Sequence, residues 1–305
     1  MEQYTKPFKS LQEQAELLIS RGLVGEKREI CERLQHVGYY RLSAYWYPFR
    51  IPVDSAHRKS ELFPGTTLTR VWNHYRFDRR LRLLLLDAIE RIEVALRAVI
   101  AYRFAEFSGP FGYETLLPAN VIEKIKINAS LKKQYDFVTH FAGKYSGDYL
   151  PVWMAVGVMD FGDLSSFLNS LGNDIQKKIA NDLGIHTELL RSWIGALRLI
   201  RNACAHHARV WNKMWGISPK KHKAWGGYIY DKKPEKWIRH QNASMPFQTR
   251  KTGYILLICR FLLRNISGST KWKERVENLF DEFSDLSVDS NMGLPEYWRQ
   301  HPLWK

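Results

Sequence analysis

The longest uninterrupted pattern in this sequence runs from about Thr69 to Glu106 and contains no proline or glycine. Its apolar residues recur at steps of three and four, which is the spacing of one buried helix face. They are Leu81, Leu84, Leu85, Ala88, Ile92, Ala95, Leu96 and Val99. At 1.5 Å per residue, the stretch predicts one long helix, or two nearly continuous ones, of up to about 55 Å. No strand-like alternation is convincing elsewhere, so the sequence predicts an all-α fold.

Shorter helical segments precede this stretch. Ser10 and Glu13 form a capping-box pattern, which starts a helix that Gly22 is expected to end. Two further segments follow, at about Glu26–Val37 and Tyr39–Tyr47. Residues 48–65 contain three prolines and mixed charge, which is typical of a linker or long loop. The sequence therefore predicts a small helical N-terminal unit with its linker at 1–66 and a larger helical domain at 67–305.

A second amphipathic helix is predicted from about Thr187 to Asn212. Its buried face is marked by Leu190, Trp193, Ile194, Leu197 and Ile200. Its polar end reads Arg201-Asn202-Ala203-Cys204-Ala205-His206-His207. Arginine binds phosphate in a bidentate manner, and histidine titrates near neutral pH. This composition suggests chemistry on a phosphodiester that needs no metal.

The spacing within this motif constrains how it can work. Asn202 and His206 are four residues apart and share a helix face, whereas Arg201 and His206 point about 140° away from each other on a regular helix. Both can meet one phosphate if the helix ends or distorts near Ala205. They can also meet it if two copies of the chain pair so that both motifs line one cleft.

Two acidic residues of the long helix, Glu90 and Glu93, are neighbours on its surface at i, i+3. One of them could orient the arginine or a histidine of the motif. The alternative is a solvated face on which glutamates and arginines pair within the helix. The spacing leaves both interpretations open.

The charge balance favours a polyanionic partner: 46 Lys and Arg stand against 31 Asp and Glu, which gives a net charge of +15. A basic-aromatic insertion at about 213–249 is suited to single-stranded RNA, although an ordinary basic loop is the alternative. Its candidate RNA-binding residues are Lys220, Lys221, Lys223, Lys232, Lys233, Lys236, Arg239 and Trp225. Tyr40 and Arg41, in the aromatic-basic run of the N-terminal unit, could bind RNA in the same way or serve packing.

The three cysteines lie far apart without metal-ligand spacing, which indicates reduced thiols in a cytosol. Cys204, inside the motif, is expected to be a small buried residue and not a nucleophile. No metal site, no glycine-rich phosphate loop and no cofactor are predicted. The most apolar run, Tyr254–Leu263, is about half a membrane span, so we expect a cytoplasmic protein without a membrane partner.

The motif resembles a known group of proteins. An Arg, a polar residue directly after it, and a His with four residues between the Arg and the His are similar to the Rx4-6H motif of HEPN-type ribonucleases. The longer string from Arg201 to Asn212 resembles abortive-infection (Abi) proteins of the AbiD/AbiF type. Further stretches that match the habits of this family are Lys6-Pro7-Phe8, Val37 to Trp46, Phe77 to Arg82 with Leu86 to Glu93, and Asp160-Phe161-Gly162-Asp163-Leu164.

The resemblance implies an all-α, HEPN-like helical bundle and a phage-defence effector that cleaves RNA. The 2′-hydroxyl of the RNA would be the nucleophile, with His206 as general acid or base, Arg201 on the phosphate and Asn202 as an orienting group. His207 is the weaker imidazole candidate and could instead cap the helix. The resemblance also implies a homodimer, restraint by a small structured antitoxin RNA, and Glu93 as the better accessory candidate.

Two other readings of the same residues remain open. The first is a non-catalytic RNA-binding protein in which Arg201 and His206 only hold phosphates. The second is a protein-binding sensor whose positive charge is incidental. The first would lose RNA affinity when His206 is replaced and would never cleave RNA, and the second would show partner binding that is insensitive to salt.

Overall fold

The computed structural model describes residues 3, 5, 7–55, 57–131, 135–147, 149–225, 228–231, 236–240, 244–268 and 271–305. Within these residues there are fourteen α-helices and two short antiparallel hairpins, which confirms the all-α prediction. The helices before the motif are α1 Leu11–Ser20, α2 Lys27–Val37, α3 Tyr39–Trp46, α4 Leu68–Ser108, α5 Tyr113–Leu116, α6 Ala119–Leu131, α7 Asp136–Lys144, α8 Val152–Val158, α9 Phe161–Ser170 and α10 Asn173–Asp182. The remaining helices are α11 Thr187–Ala205, α12 Thr252–Ser267, α13 Trp272–Glu282 and α14 Val288–Asn291.

The chain folds into two compact units. Unit 1 comprises Met1–Leu81 and Asp281–Ser287, and unit 2 comprises Arg82–Phe280 and Val288–Lys305. The boundary between them lies inside α4, whereas the sequence places it near residue 66. A helix that continues through a boundary leaves no break in proline, glycine or charge content, so composition alone could not locate it.

The long helix predicted from the uninterrupted apolar pattern is a single element. It spans 41 residues, from Leu68 to Ser108, or about 60 Å. Leu81, Leu85, Ala88, Ile92 and Leu96 are fully buried along it. Burial of side chains of this size contributes roughly 1.5–3 kcal/mol for each large one, so packing of this face, more than helix propensity, stabilises the element.

Unit 1 begins with the predicted capping box. The Ser10 hydroxyl accepts a hydrogen bond from the Glu13 backbone N–H, and the Glu13 carboxylate accepts one from the Ser10 N–H at 2.6 Å. Gly22 follows α1 with φ +96°, a conformation that favours glycine. Further along the unit, the buried Tyr45 hydroxyl donates to the buried Asp78 carboxylate at 2.6 Å. The helices predicted before residue 48 are therefore confirmed.

The segment predicted as a linker contains a hairpin. Strand β1 (Arg50–Pro52) pairs with β2 (Arg58–Leu62), with an irregular register between Arg50 and Pro52. Strand β2 exposes four residues and buries only Leu62, so it lacks the alternation by which strands are recognised. A second hairpin joins β3 (Tyr228–Asp231) to β4 (Lys236–Arg239) in regular antiparallel register. The sequence predicted no strand in either place, and both short hairpins are additions to the all-α fold.

The core of unit 2 surrounds α11. Its predicted buried face is confirmed, because Leu190, Trp193, Ile194, Leu197 and Ile200 are at most 1% exposed. This helix packs against α9, α10 and α12. Between α4 and α8 lie the short α5 and the helices α6 and α7. None of the helices in the described ranges is long and apolar enough to cross a membrane.

Candidate functional site

The motif lies at the C-terminal end of α11, and the helix stops inside it. The sequence predicted a helix to Asn212, but α11 ends at Ala205. His206 takes the capping position with φ −84° and ψ 13°, and His207 follows in the left-handed region with φ +58°. The helix therefore ends near Ala205, but the His206 N–H still donates to the Asn202 carbonyl at 2.9 Å. His206 thus keeps its place in the helical register.

Two backbone hydrogen bonds fix this helix end. The His207 N–H donates to the Cys204 carbonyl at 3.0 Å, and the Ala208 N–H donates to the Ala203 carbonyl at 2.8 Å. This pair defines a Schellman motif, whose left-handed position is usually glycine. A side chain there costs about 1–2 kcal/mol. The helix end therefore holds an imidazole in a strained backbone position, and such positions concentrate at functional sites.

The polar groups of the motif face solvent. Asn202, His206 and His207 are exposed and Arg201 is half-buried, while Cys204 is buried as expected. The Arg201 guanidinium donates to the Asn202 side-chain oxygen at 3.3 Å. Within the described part of the chain no carboxylate pairs with Arg201, so its positive charge is available to an anion such as a phosphate.

Residues from α4 and α12 fix the chain just after the motif. Arg82, which is 5% exposed, donates to the Ala208 carbonyl at 3.5 Å. The Thr252 hydroxyl donates to the Val210 carbonyl at 2.7 Å and accepts from the Trp215 indole at 3.0 Å. Arg82 stands within a stretch that carried the family resemblance, but its positioning role was not visible because its contact lies 126 residues away.

Of the two accessory glutamates, Glu93 is engaged elsewhere. Its carboxylate pairs with Arg97 one turn along α4, and the side chains are only 13% and 18% exposed. Arg97 also donates to the carbonyl groups of Val156 and Met159, at 2.9 Å for Met159. Glu90 is exposed. In the described residues neither glutamate is hydrogen-bonded to Arg201 or His206, so the intrahelical pair is the arrangement present.

The basic-aromatic insertion divides into exposed cations and buried rings. Lys220, Lys221, Lys223, Lys236 and Arg239 are exposed, whereas Lys232 and Lys233 lie outside the described residues. Trp225 is only 1% exposed and packs against Trp193, Tyr254 and Phe261. Stacking of bases on Trp225 was therefore a wrong expectation, because core rings already cover it.

The aromatic-basic run of unit 1 divides in the same way. Tyr45 and Trp46 are buried, which supports the packing interpretation for them. Tyr40 is 92% exposed and Arg41 is half-buried. Only Tyr40 presents an open ring to solvent among these three aromatic residues.

The described residues contain no assembled cysteine or metal site. Cys204 and Cys259 are both buried, and burial raises the pKa of the Cys259 thiol. No group of three or more His, Cys, Asp or Glu side chains in the described ranges lies close enough to hold a metal ion.

The geometry defines an all-α protein in which a core helix ends with a half-buried Arg201 and the exposed Asn202 and His206. The family model described as Abi-like protein matches residues 32–212, more than half of the chain, and the match includes the whole motif. The chain belongs to the Abi-like family, and this membership suggests abortive-infection phage defence. No curated protein and no solved structure matches the chain significantly.

Proposed function

We propose that this protein is a metal-independent endoribonuclease of the HEPN type that acts as a toxin-like effector of phage defence in the cytoplasm. One observation carries the proposal: the half-buried Arg201 and the exposed Asn202 and His206 lie at the C-terminal end of a core helix, and the Arg201 guanidinium donates to a neutral carboxamide. The family match covers these residues and supports the defence role.

The reaction follows from these groups. A base, the His206 imidazole of one protomer, removes the proton of a ribose 2′-hydroxyl, whose oxygen attacks the adjacent phosphorus. The P–O5′ bond breaks, and an acid protonates the leaving 5′-oxygen. The products are a 2′,3′-cyclic phosphate and a 5′-hydroxyl. General acid–base catalysis of this kind contributes about 10²–10⁴-fold.

Arg201 stabilises the charge that develops on the phosphate oxygens, because a guanidinium binds phosphate with two parallel N–H donors. Asn202 orients it through the 3.3 Å hydrogen bond. His207 occupies the left-handed position after the helix and is exposed beside His206. It is therefore the second candidate for the imidazole. DNA lacks the 2′-hydroxyl nucleophile and is not a substrate by this route.

A homodimer would complete the site. Gly195, Leu199, Asn202 and His206 follow one another at steps of four, three and four, so they form one stripe on α11. Leu199 is 38% exposed, and a side chain at Gly195 would meet nothing within 4 Å. Two-fold pairing along this stripe would place two copies of Asn202 and His206 in one cleft.

The experiment is cleavage of a labelled single-stranded RNA by the purified protein, with a His206→Ala variant beside it. We expect the wild type to leave 2′,3′-cyclic phosphate ends and the variant to retain RNA affinity without cleavage. A substrate with a 2′-deoxyribose at the cut position should remain intact. Cleavage that persists in His206→Ala, or that leaves 3′-hydroxyl ends, would contradict the mechanism.

The second candidate is a non-catalytic RNA-binding protein that holds a small structured RNA. The exposed cations Lys220, Lys221, Lys223, Lys236 and Arg239 favour it, since phosphate contacts need only accessible charge. In this case no cleavage would occur, and His206→Ala would weaken RNA binding. Under the first proposal, the same cations hold a restraining RNA on an enzyme that is inactive until infection.

A further inference from the structure

An open cavity of about 710 Å³ lies near the N-terminal end of α11, remote from the motif. It is lined by residues of α9, α10, α11 and the basic insertion, among them Asn173, Lys177, Arg191 and Lys220. A second cavity of about 260 Å³ shares Glu188 and Lys220 with it and adds Lys221 and Lys223. The two cavities are adjacent, and we call them together the α11 groove.

The charge in this groove is unevenly compensated. The Lys220 ammonium pairs with Glu188 at 2.9 Å, and this hydrogen bond lowers the pKa of the Glu188 carboxyl. Asp174 also lines the groove. In the described residues no carboxylate forms an ion pair with Lys177, Lys221, Lys223 or Arg191. With Lys220, five cations face two carboxylates, so the groove is net positive.

Arg191 is the best-positioned cation of the groove. Its Nε donates to the Gln176 side-chain oxygen, and its Nη2 donates to the Asn173 side-chain oxygen at 2.9 Å. Gln176 is itself fully buried and donates to the Leu171 carbonyl at 2.7 Å. Two neutral carboxamides thus fix the guanidinium without cancelling its charge. A cation fixed in this way is pre-organised for an anion.

The groove is connected to the motif along α11. Arg191 and Arg198 are seven residues apart and lie on the same face, and Arg201 follows one turn later. Arg198 is exposed and, like Arg191, has no carboxylate partner in the described part of the chain. The distance along the axis from Arg191 to Arg201 is about 15 Å. A strand bound in the groove could therefore reach the scissile position.

We propose that the α11 groove binds the phosphates of a single-stranded RNA away from the bond that is cut, with Arg191 as the principal contact. This inference rests on the proposed function for the identity of the RNA as substrate. It assigns to Arg191, Lys177 and Arg198 a role that neither the motif nor the insertion predicted.

The test compares two substitutions that each lower the net charge of the groove by one, either by deleting the Arg191 guanidinium or by placing a carboxylate beside it. Arg191→Ala deletes the guanidinium. Asn173→Asp keeps it and replaces its neutral partner by a carboxylate of the same shape, and an acidic residue is favoured at this first position of α10. Arg275→Ala is the matched control, because Arg275 already pairs with Asp87 and the net charge changes equally.

Binding is measured by fluorescence anisotropy with poly(U), in proteins that also carry His206→Ala so that the RNA stays intact. We expect both groove variants to weaken binding about tenfold and to lower the slope of log affinity against log salt by about 0.7. Arg275→Ala should change neither quantity. Wild-type affinity and salt slope in both groove variants would overturn the proposal, as would an equal loss in the control.

A second measurement separates this inference from the proposed function. In proteins with an intact His206, the preference for poly(U) over the dinucleotide UpU, taken as a ratio of kcat/KM values, should fall about tenfold in both groove variants. An unchanged ratio would contradict a role in substrate binding. Absence of any cleavage by the wild type would reject the nuclease, while the anisotropy result would still decide whether the groove binds RNA.

Discussion

In unit 2, three arginines of α4 (Arg91, Arg97 and Arg103) pair with carboxylates, whereas the arginines of α11 do not pair with any carboxylate of the described residues. On α4, Arg91 pairs with Asp87 at 3.1 Å, Arg97 pairs with Glu93, and Arg103 pairs with Asp182 at 2.6 Å. The hydrogen bonds from Arg103 lower the pKa of the Asp182 carboxyl. These guanidiniums link neighbouring turns of α4, or link α4 to another helix. A nearby carboxylate offsets the charge of each.

On α11 the arginines contact neutral groups or solvent. Arg191 is fixed by two carboxamides, Arg201 by Asn202, and Arg198 is exposed. The helix ends differ as well: α4 is followed by Gly109 at φ +75°, and α11 is followed by His207 at φ +58°. The positive charges that make up the net charge of +15 are thus not equally able to bind an anion. An arginine paired with a carboxylate has a structural role, whereas an arginine held by neutral groups can still bind an anion.

The largest effect on stability is expected at Arg97. Replacement by Ala leaves Glu93 buried without its cation and removes the donors to the Val156 and Met159 carbonyls. Breaking one side of a buried pair costs about 3–5 kcal/mol, which urea unfolding would measure. Glu93→Gln retains an acceptor for Arg97 and should cost less. A stable Glu93→Gln variant that cannot cleave RNA would instead show that Glu93 acts on the motif.

The largest effect on activity is expected at Arg201. Replacement by Ala should lower kcat about 10²–10³-fold, because the transition-state charge on the phosphate loses its guanidinium. The free energy of unfolding should change by less than about 0.5 kcal/mol, since the hydrogen bond from Arg201 to Asn202 is exposed to solvent. Single-turnover cleavage and urea unfolding of the same preparation measure both. If Arg201→Ala lost as much stability as Arg97→Ala, Arg201 would be a structural cation like those of α4, and the contrast between the two helices would fail.

The sequence predicted the two helices but not which groups their arginines contact. The period of the apolar residues located both buried faces, since burial of every third or fourth side chain leaves a direct trace in the sequence. The end of α11 was misplaced by seven residues, at Asn212 instead of Ala205. It lacks the glycine that usually marks a left-handed cap, so no local signal was present.

The partners of the arginines depend on contacts between distant residues. Arg191 meets Asn173 across 18 residues, and Arg103 meets Asp182 across 79. Nothing in the local sequence distinguishes these two arginines. The burial of Trp225 was missed for the same reason, because its covering ring Phe261 lies on α12. The spacing of Arg191 and Arg198 by seven residues was the one signal that could have located the basic face of α11.

A smaller effect is expected at His207. Replacing it by glycine would give α11 a glycine in the left-handed position after the helix, as α4 has in Gly109. His207→Gly should stabilise the protein by up to about 1 kcal/mol, because glycine adopts φ +58° without strain. His207→Ala keeps the strain and serves as the matched control. Urea midpoints compare the two. If both variants cleave RNA at the wild-type rate, His206 supplies the imidazole; loss of cleavage in both would assign that role to His207.

The smallest effect is expected at Arg91, whose pair with Asp87 is about one-third exposed. Replacement by Ala should cost less than about 0.5 kcal/mol at physiological salt, because solvent screens the pair and Asp87 keeps Arg275 at 3.0 Å. RNA affinity should be unchanged, whereas Arg198→Ala, with the same loss of charge, should weaken it and lower its salt slope. Equal losses in the two variants would mean that total charge decides binding, and the contrast between α4 and α11 would then carry no functional meaning.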